Sequence, residues 1–305
     1  MLSPLRYPGA KADFSRTVHE IICGSGLYGC SLVEPYCGSS SVSLALLDSG
    51  AISHATLLER DPLIYSFWKA LVHHADELIC RFQELPITLE TWRNLRPLMA
   101  VKKPTRETIV DLGLAALFFN RANFSGILDA GPIGGMKQQS AYPIDCRTNK
   151  DEIISRMLTI AAFEDRLTVQ FGDAVDFINN FDKRKSRTVF YVDPPYYVKG
   201  KLLYRHHYQL ADHKALAKAL TILTLPWILS YDVHHVIEFL YEEFHINKLA
   251  FRYSAHSPKN HEELLISNFS IDSNLLSQDL VGSMKRKTPA TGDRHVQLEQ
   301  VRLHF

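Results

Sequence analysis

Short apolar segments alternate with helical patterns along this chain, and that alternation restricts the fold more than any other feature. Residues 31–36 form a short apolar run that leads into Gly38 and a serine cluster, and a helical pattern follows. Residues 54–61 form a second such run, which ends in acidic residues and is again followed by a helical pattern. Two successive strand–helix units predict a parallel sheet.

The alternation stops at about residue 62 and resumes at about residue 148. The segment 62–147 has helical patterns broken by prolines, then a loop rich in glycine, and no convincing strand. We interpret it as an inserted helical subdomain with a long loop or hairpin. Residues 1–61 and 148–269 then form one α/β domain with a doubly wound, mostly parallel, Rossmann-like sheet, and residues 270–305 are left unassigned. Later strands are predicted at 167–173, 188–193, 227–232, 246–255 and 262–268.

Charge, apolar run length and cysteine usage together limit the class of protein, and they argue against a membrane protein and a disulfide-rich protein. With 34 basic and 33 acidic residues among 305, a polyanion would have to bind a local patch, since the surface is not basic overall. The apolar run at 112–119 is much shorter than the roughly 20 residues of a membrane span, and no signal-peptide pattern is present. We therefore expect a cytoplasmic protein. Five cysteines without a C-x-x-C pair favour neither a disulfide framework nor a metal site.

The first strand–helix turn has features of a nucleoside site. Gly38 follows the first predicted strand, and Glu59 lies 21 residues later near the end of the second. A glycine lets a ligand approach the backbone, and an acid at this spacing accepts hydrogen bonds from ribose hydroxyls. The turn has the sequence YCGSSS and lacks the G-x-G-x-x-G pattern, which argues against a pyrophosphate site. An ordinary turn remains an equal alternative from these residues alone.

The strand predicted at 188–193 stops at two consecutive prolines, which cannot continue a central strand. Neither Pro194 nor Pro195 has an N–H group, so Asp193 and the nearby carbonyls form a stiff loop rich in acceptors. Tyr196 adds an aromatic ring. Such a loop suits a planar heterocycle whose exocyclic amine donates to Asp193 and to the Pro194 carbonyl while its ring stacks on Tyr196. A plain turn that closes a core strand fits the same four residues.

Several segments together resemble the Dam-like family of adenine-N6 DNA methyltransferases. These are LRYPGAK (5–11), EPYCGSSSV (34–42), FFNRANFSG (118–126), DPPYY (193–197), WILSYD (227–232) and HEELLISN (261–268). The resemblance covers about Leu5 to Asn268, and the motifs occur in the family's order. It implies methyl transfer from S-adenosylmethionine to an adenine flipped out of double-stranded DNA, with target recognition by the inserted subdomain. It also allows a restriction–modification setting with a separately encoded endonuclease, and it calls for no metal or membrane.

The resemblance assigns roles to individual residues. Lys11 would face the carboxylate of the cofactor, Glu59 its ribose, and Asp173 its adenine. The full set of cofactor-binding residues would be Tyr7, Gly9, Lys11, Glu34, Pro35, Tyr36, Gly38, Glu59, Asp173 and Asp193. The catalytic residues that receive the target adenine would be Asp193, Pro194, Pro195 and Tyr196. The DNA-binding residues would be Arg6, Asn120, Arg121, Asn123, Lys199, Lys201 and Arg205.

Three positions depart from the family's common pattern. Ser40 and Ala10 stand where glycine is frequent, and Glu59 stands where aspartate is common. Serine is small enough to keep the turn, and glutamate keeps the ribose acceptors with a longer reach. Four alternatives remain: a methyltransferase acting on cytosine N4, one acting on RNA, a catalytically silent DNA-binding relative, and a nucleotide-binding module. The intact DPPY loop argues against the last two.

Overall fold

The computed structural model describes residues 2–6, 12–182, 184, 187–198, 205, 208–252, 260–276 and 280–284. Within these ranges the strands are β1 (Cys30–Pro35), β2 (Ile52–Glu59), β3 (Leu167–Phe171), β4 (Thr188–Val192), β5 (Trp227–Asp232), β6 (His245–Arg252), β7 (Asn260–Ser267) and β8 (Leu280–Met284). The helices are α1 (Ala12–Gly24), α2 (Ser41–Asp48), α3 (Pro62–His73), α4 (Ala75–Glu84), α5 (Leu89–Leu95), α6 (Ile109–Ala122), α7 (Lys150–Ala161), α8 (Ala174–Asn180), α9 (Leu210–Ile222) and α10 (His235–Leu240).

The strands form one sheet in the order β3-β2-β1-β4-β5-β7-β6-β8. The pairs β3–β2, β2–β1, β1–β4 and β4–β5 are parallel, whereas β7 runs antiparallel to both β5 and β6, and β8 runs antiparallel to β6. Because β1 lies between β2 and β4, the winding direction reverses at the β1–β4 pair. This confirms the predicted α/β fold and places the ligand crevice at the carboxyl ends of these two strands.

Both faces of the sheet are covered, as a doubly wound fold requires. Along β1, Leu32 packs in one hydrophobic cluster with residues of α1, α2, α3, α6 and α7. The next residue, Val33, packs in a second cluster with residues of α9 and β5. Strand β4 alternates in the same way, with Tyr191 in the first cluster and Phe190 in the second. The near-continuous apolar sequence of these strands reflects burial on both faces.

Residues 62–147, which the structure describes throughout, contain helices α3 to α6 and no strand, with one isolated bridge between Asn123 and Pro132. Buried residues of α3, α4 and α6 belong to the same hydrophobic cluster as β1 and β2. Helix α6 approaches α3 closely at Gly113, where an added Cβ would lie 2.9 Å from the Ser66 carbonyl oxygen. These helices pack in the same hydrophobic core as the sheet. The division of residues 62–147 into a separate subdomain stays a prediction.

Three elements differ from the sequence-based expectations. Helix α1 was not expected, because the segment 12–24 precedes the first strand and shows no capping signal. The helical pattern after β2 is split into α3 and α4 at His74, whose φ of −141° and ψ of 38° are not helical. Strand β8 lies in the unassigned region, where it pairs with the edge of the sheet at β6. In the part of the chain that the structure describes, no helix has both the length and the apolar content needed to span a bilayer.

Candidate active site

Four acidic residues lie at or next to the carboxyl ends of neighbouring parallel strands. Glu34 is the penultimate residue of β1, Glu59 ends β2, and Asp232 ends β5. Asp193 follows Val192, the last residue of β4. Because parallel strands end at the same edge of a sheet, all four residues lie at its carboxyl edge, on both sides of the β1–β4 pair.

The turn after β1 has an unusual backbone. Tyr36, Gly38 and Ser40 all have positive φ, at 76°, 45° and 49°, and this is uncommon for residues other than glycine. The turn is fixed by neighbouring elements: the Tyr36 N–H donates to the Leu58 carbonyl at 3.2 Å, and Trp68 Nε1 donates to the Gly38 carbonyl at 2.8 Å. Ser40 therefore adopts the left-handed conformation that glycine would adopt without strain.

The Glu59 carboxylate joins this turn to the end of β2. Its Oε2 accepts from the Gly38 N–H at 3.1 Å, and its Oε1 accepts from the N–H groups of Arg60 and Asp61, both at 2.9 Å. The side chain is buried, and burial raises its pKa to about 7. The acid expected to bind a ribose is thus rigidly placed beside the glycine, and a ribose hydroxyl would compete with the Gly38 N–H for Oε2.

Glu34 is a second buried carboxyl group at this edge, with 4% of its surface exposed. Its Oε2 accepts from the Ser43 N–H at 3.3 Å and from the Ser43 hydroxyl. Burial raises the pKa of Glu34 to about 8, and the nearby charges of Asp193 and Glu59 act in the same direction. The ionised form is therefore costly in the free protein, and a cation at this site would favour it.

Asp193 is held by the strand next to its own. Ser230 of β5 donates its hydroxyl to Asp193 Oδ1 at 2.7 Å, and the Tyr191 hydroxyl lies 3.2 Å from the same Ser230 oxygen. Pro194 and Pro195 are buried directly after it. The orientation of the carboxylate is thus set by β5 and by the stiff proline pair.

The two tyrosines of the loop are anchored by two further carboxylates. Tyr196 donates its hydroxyl to Glu263 Oε1 at 3.1 Å. The backbone N–H groups of Tyr197 and Val198 donate to the two oxygens of Asp232, at 3.0 and 3.1 Å. Successive groups of the loop are therefore bound to the ends of β5 and β7.

The Tyr197 ring packs between two histidines, with ring centroids 4.4 Å from His234 and 5.1 Å from His213. His213 Nδ1 lies 2.5 Å from the Tyr231 hydroxyl, and burial lowers the pKa of His213 to about 4. The His213 imidazole is therefore neutral near pH 7. Tyr197, for which no role was predicted, thus packs the loop against α9 and the residue preceding α10.

Two further cofactor candidates, Asp173 and Tyr36, lie after the ends of β3 and β1. Asp173 caps α8 by accepting from the N–H groups of Val175 and Asp176, and it forms an ion pair with Arg60 at 3.4 Å. Tyr36 is partly buried, and its hydroxyl lies 2.6 Å from that of Tyr208. Both side chains have structural partners in the free protein.

Two of the candidate DNA-binding residues, Asn120 and Asn123, are fully buried. Asn120 Oδ1 accepts from the Arg6 N–H at 2.7 Å, and its amide donates back to the Arg6 carbonyl. Asn123 accepts from Trp92 Nε1 at 2.8 Å and donates to the Leu128 carbonyl at 2.7 Å. These amides hold backbone segments in place, and the predicted contact of this segment with DNA stays a prediction.

Arg121 is also committed to the backbone, since it donates to the carbonyls of Pro4 and Arg147. Burial and the nearby Arg6 and Arg156 lower the pKa of Arg121 to about 10. Arg6 is half-buried, and burial and Arg147 lower its pKa as well. A local basic cluster of four arginines therefore lies beside the N-terminal segment: Arg6, Arg121, Arg147 and Arg156.

Arg205 is engaged by three acceptors. Its guanidinium bonds to Asp61 at 3.0 Å, Asp129 at 3.1 Å and the Met99 carbonyl at 2.9 Å, and 14% of the side chain is exposed. In the free protein Arg205 therefore joins the segment after the DPPY loop to residues of the insertion. Its predicted contact with DNA stays a prediction. It also borders a cavity of about 200 Å³, whose other lining residues are Arg60, Pro62, Val101, Lys102 and Phe171.

Five of the candidate residues lie outside the described residues: Tyr7, Gly9, Lys11, Lys199 and Lys201. Among the described ones, Glu34, Pro35, Tyr36, Gly38 and Asp193 to Tyr196 are brought to neighbouring strand ends. The roles of Ser230 and Glu263 were missed by the sequence reasoning. Their only signal was membership of the segments WILSYD and HEELLISN, since the partner of a buried serine or glutamate depends on strand pairing.

Comparisons with known proteins give one family. A family model described as D12 class N6 adenine-specific DNA methyltransferase matches residues 7–255. Two solved structures are similar at low identity. A candidate RNA methyltransferase, PH1948 from Pyrococcus horikoshii, is 9% identical with a TM-score of 0.38 and covers 86% of this chain and 84% of its own. A candidate methyltransferase, yhhF from Escherichia coli, is 11% identical with a TM-score of 0.30 and covers 87% and 92%. A comparison with curated proteins found no match.

Proposed function

The chain belongs to the D12 class of N6 adenine-specific DNA methyltransferases, and on that premise we propose that it methylates the exocyclic amine of an adenine in duplex DNA at the DPPY loop. The observation that supports this most directly is the anchoring of Asp193 and Tyr196. Ser230 fixes the carboxylate, and Glu263 fixes the phenol. An acceptor and an aromatic face are thus presented together at the carboxyl end of β4.

The residues at the adjoining strand ends suit S-adenosylmethionine. Glu34 offers a buried carboxylate to a cationic ligand, and Glu59 offers oxygens to ribose hydroxyls beside the Gly38 turn. Asp173, after β3, forms an ion pair with Arg60, the residue after Glu59, and the adenine would bind beside this pair. The cofactor supplies an electrophilic methyl group on a sulfonium. Glu34, Glu59 and the turn would hold it, and Tyr36 would close the apolar side.

The DPPY loop would prepare the amine for attack. Asp193 and the Pro194 carbonyl accept the two N6 hydrogens, so the nitrogen lone pair is directed toward the methyl carbon. A carbon–nitrogen bond forms as the carbon–sulfur bond breaks, and one N6 proton leaves toward Asp193 and solvent. Tyr196 holds the base in plane by stacking. Positioning of this kind can contribute up to roughly 7 to 11 kcal/mol.

Duplex DNA must present the adenine outside the stack, at a cost of a few kcal/mol. The insertion exposes Phe124, Met136 and Tyr142, which are 69%, 50% and 63% exposed. Exposed aromatic side chains can stack on bases, and the basic cluster of Arg6, Arg121, Arg147 and Arg156 can attract phosphates. Because the net charge is only +1, binding should depend on salt through such local clusters.

The test is product analysis after incubation with S-adenosylmethionine and either duplex DNA or RNA. Nucleosides are then separated by liquid chromatography and mass spectrometry. We expect N6-methyladenine in DNA from the wild type and none from Asp193→Ala, which should still bind S-adenosylmethionine in calorimetry. Exposed Asp176→Ala is the matched control. Formation of N4-methylcytosine, of methylated RNA alone, or of no product would reject the proposed function. Resistance of methylated DNA to nucleases would then test for a cognate endonuclease.

A further inference from the structure

Asp232 and Glu263 lie directly opposite each other in the antiparallel pair of β5 and β7. Opposed residues of an antiparallel pair point to the same face, and two like charges there destabilise the sheet. Both carboxylates nevertheless accept hydrogen bonds from one short segment of chain. Asp232 binds the backbone of Tyr197 and Val198, and Glu263 binds the phenol of Tyr196. The pair therefore orients the second half of the DPPY loop.

The Glu263 contact differs in kind from the Asp232 contact. Asp232 fixes the path of the backbone, whereas Glu263 binds the far end of the Tyr196 side chain and so fixes the direction in which the ring extends from the backbone. Tyr196 is 9% exposed and Glu263 is 6% exposed, so this hydrogen bond is screened from water. A charged acceptor makes the stronger and shorter class of hydrogen bond. Stacking depends on the offset and angle between two rings, so the placement of the Tyr196 ring affects how it can stack on a base.

We propose that Glu263 is a positioning residue for methyl transfer, which acts by holding the Tyr196 ring in the orientation that receives the target adenine. This inference rests on the proposed function of the DPPY loop. Glu263 would act through the Tyr196 hydroxyl, to which it is hydrogen-bonded. Removing that hydroxyl should then reduce the effect that a change at residue 263 has on the rate.

The experiment is a double-mutant cycle with Glu263→Met, Glu263→Gln and Tyr196→Phe, measured by single-turnover methylation of duplex DNA. Glu263→Met should lower the rate about tenfold, the loss that corresponds to one hydrogen bond of about 1.4 kcal/mol. Glu263→Gln keeps one acceptor oxygen and should recover part of the rate. In the Tyr196→Phe background, both changes at position 263 should have a clearly smaller effect than in the wild type. Additive losses would overturn the proposal, because Glu263 would then act elsewhere.

A second measurement keeps this inference separate from the proposed function. Tyrosine ring carbons are labelled with ¹³C, and the Tyr196 resonance is assigned by its loss in Tyr196→Phe. Glu263→Met should shift that resonance even if no methylation is detected, and an unchanged resonance would overturn the anchoring itself. A wild type that methylates DNA together with an unshifted resonance rejects only the positioning role. An inactive wild type with a shifted resonance rejects only the proposed function.

Discussion

Ser230 Oγ lies 2.7 Å from Asp193 Oδ1, so the first residue of the DPPY loop is bonded to the neighbouring strand β5. Both residues sit at the carboxyl edge of the sheet, and Ser230 is fully buried. The bond connects two strand ends that lie 37 residues apart in sequence. It explains how a carboxylate on a loop can keep a fixed orientation before any substrate is bound.

Ser230→Ala should lower the methylation rate about tenfold to a hundredfold, because Asp193 loses the donor that orients it, and one hydrogen bond to a charged group contributes about 1.5 to 3 kcal/mol. The affinity for S-adenosylmethionine should change little. The measurement is single-turnover methylation, with cofactor binding followed by calorimetry. Ser267→Ala removes another fully buried hydroxyl, one that donates to the Phe269 carbonyl away from Asp193. Equal loss of rate in both variants would show a general packing effect.

Much of this arrangement could be predicted from the sequence, because local sequence determines where a strand ends, and two consecutive prolines stop a strand. The sequence WILSYD was predicted as a strand, and β5 has the same bounds. The DPPY loop begins where two prolines stop β4. The anchors of that loop could not be predicted, since the contacts of Ser230 and Glu263 depend on which strands pair. The burial of Asn120 and Asn123 could not be predicted for a related reason: a motif identifies a polar residue but does not show whether it is buried.

Glu34→Gln should make the stability of the free protein less dependent on pH. The pKa of Glu34 is raised from 4.5 to about 8 in the folded protein. Between these values the folded state binds more protons than the unfolded state, so the free energy of unfolding falls as pH rises. A neutral glutamine removes this contribution, while Glu59, with a pKa of about 7, retains its own part of it.

Thermal unfolding at pH 5.5 and pH 8.5 measures this effect. The difference in Tm between the two pH values should be smaller in Glu34→Gln than in the wild type, and exposed Glu90→Gln should leave it unchanged. Binding of S-adenosylmethionine should weaken in Glu34→Gln, since the carboxylate for its cationic group is lost. An unaltered pH dependence together with unaltered binding would contradict the placement of Glu34.

Gly113→Ala should destabilise the contact between α3 and α6. The added Cβ would lie 2.9 Å from the Ser66 carbonyl oxygen and 3.1 Å from Phe67 Cα, both of which are backbone atoms. Overpacking costs about 1 to 3 kcal/mol, and the better helix propensity of alanine returns at most about 1 kcal/mol. Urea unfolding should show a net loss. Gly131→Ala is the control, because nothing lies within 4 Å of the added Cβ and its φ is not positive.

Asp129→Ala distinguishes two roles for Arg205. If Arg205 contacts DNA and Asp129 is only a nearby acid, removing Asp129 lessens repulsion of phosphate and strengthens DNA binding. If Arg205 instead joins the DPPY segment to the insertion, removing Asp129 at 3.1 Å weakens that link, and the methylation rate falls. The structure favours the second outcome, since Asp61 and the Met99 carbonyl occupy the rest of the guanidinium. We expect about a threefold to tenfold loss of rate, as for one partly exposed ion pair.

Filter binding and methylation are measured in parallel, with exposed Asp145→Ala as the control for charge alone. Tighter DNA binding with an undiminished rate in Asp129→Ala would favour direct DNA contact by Arg205.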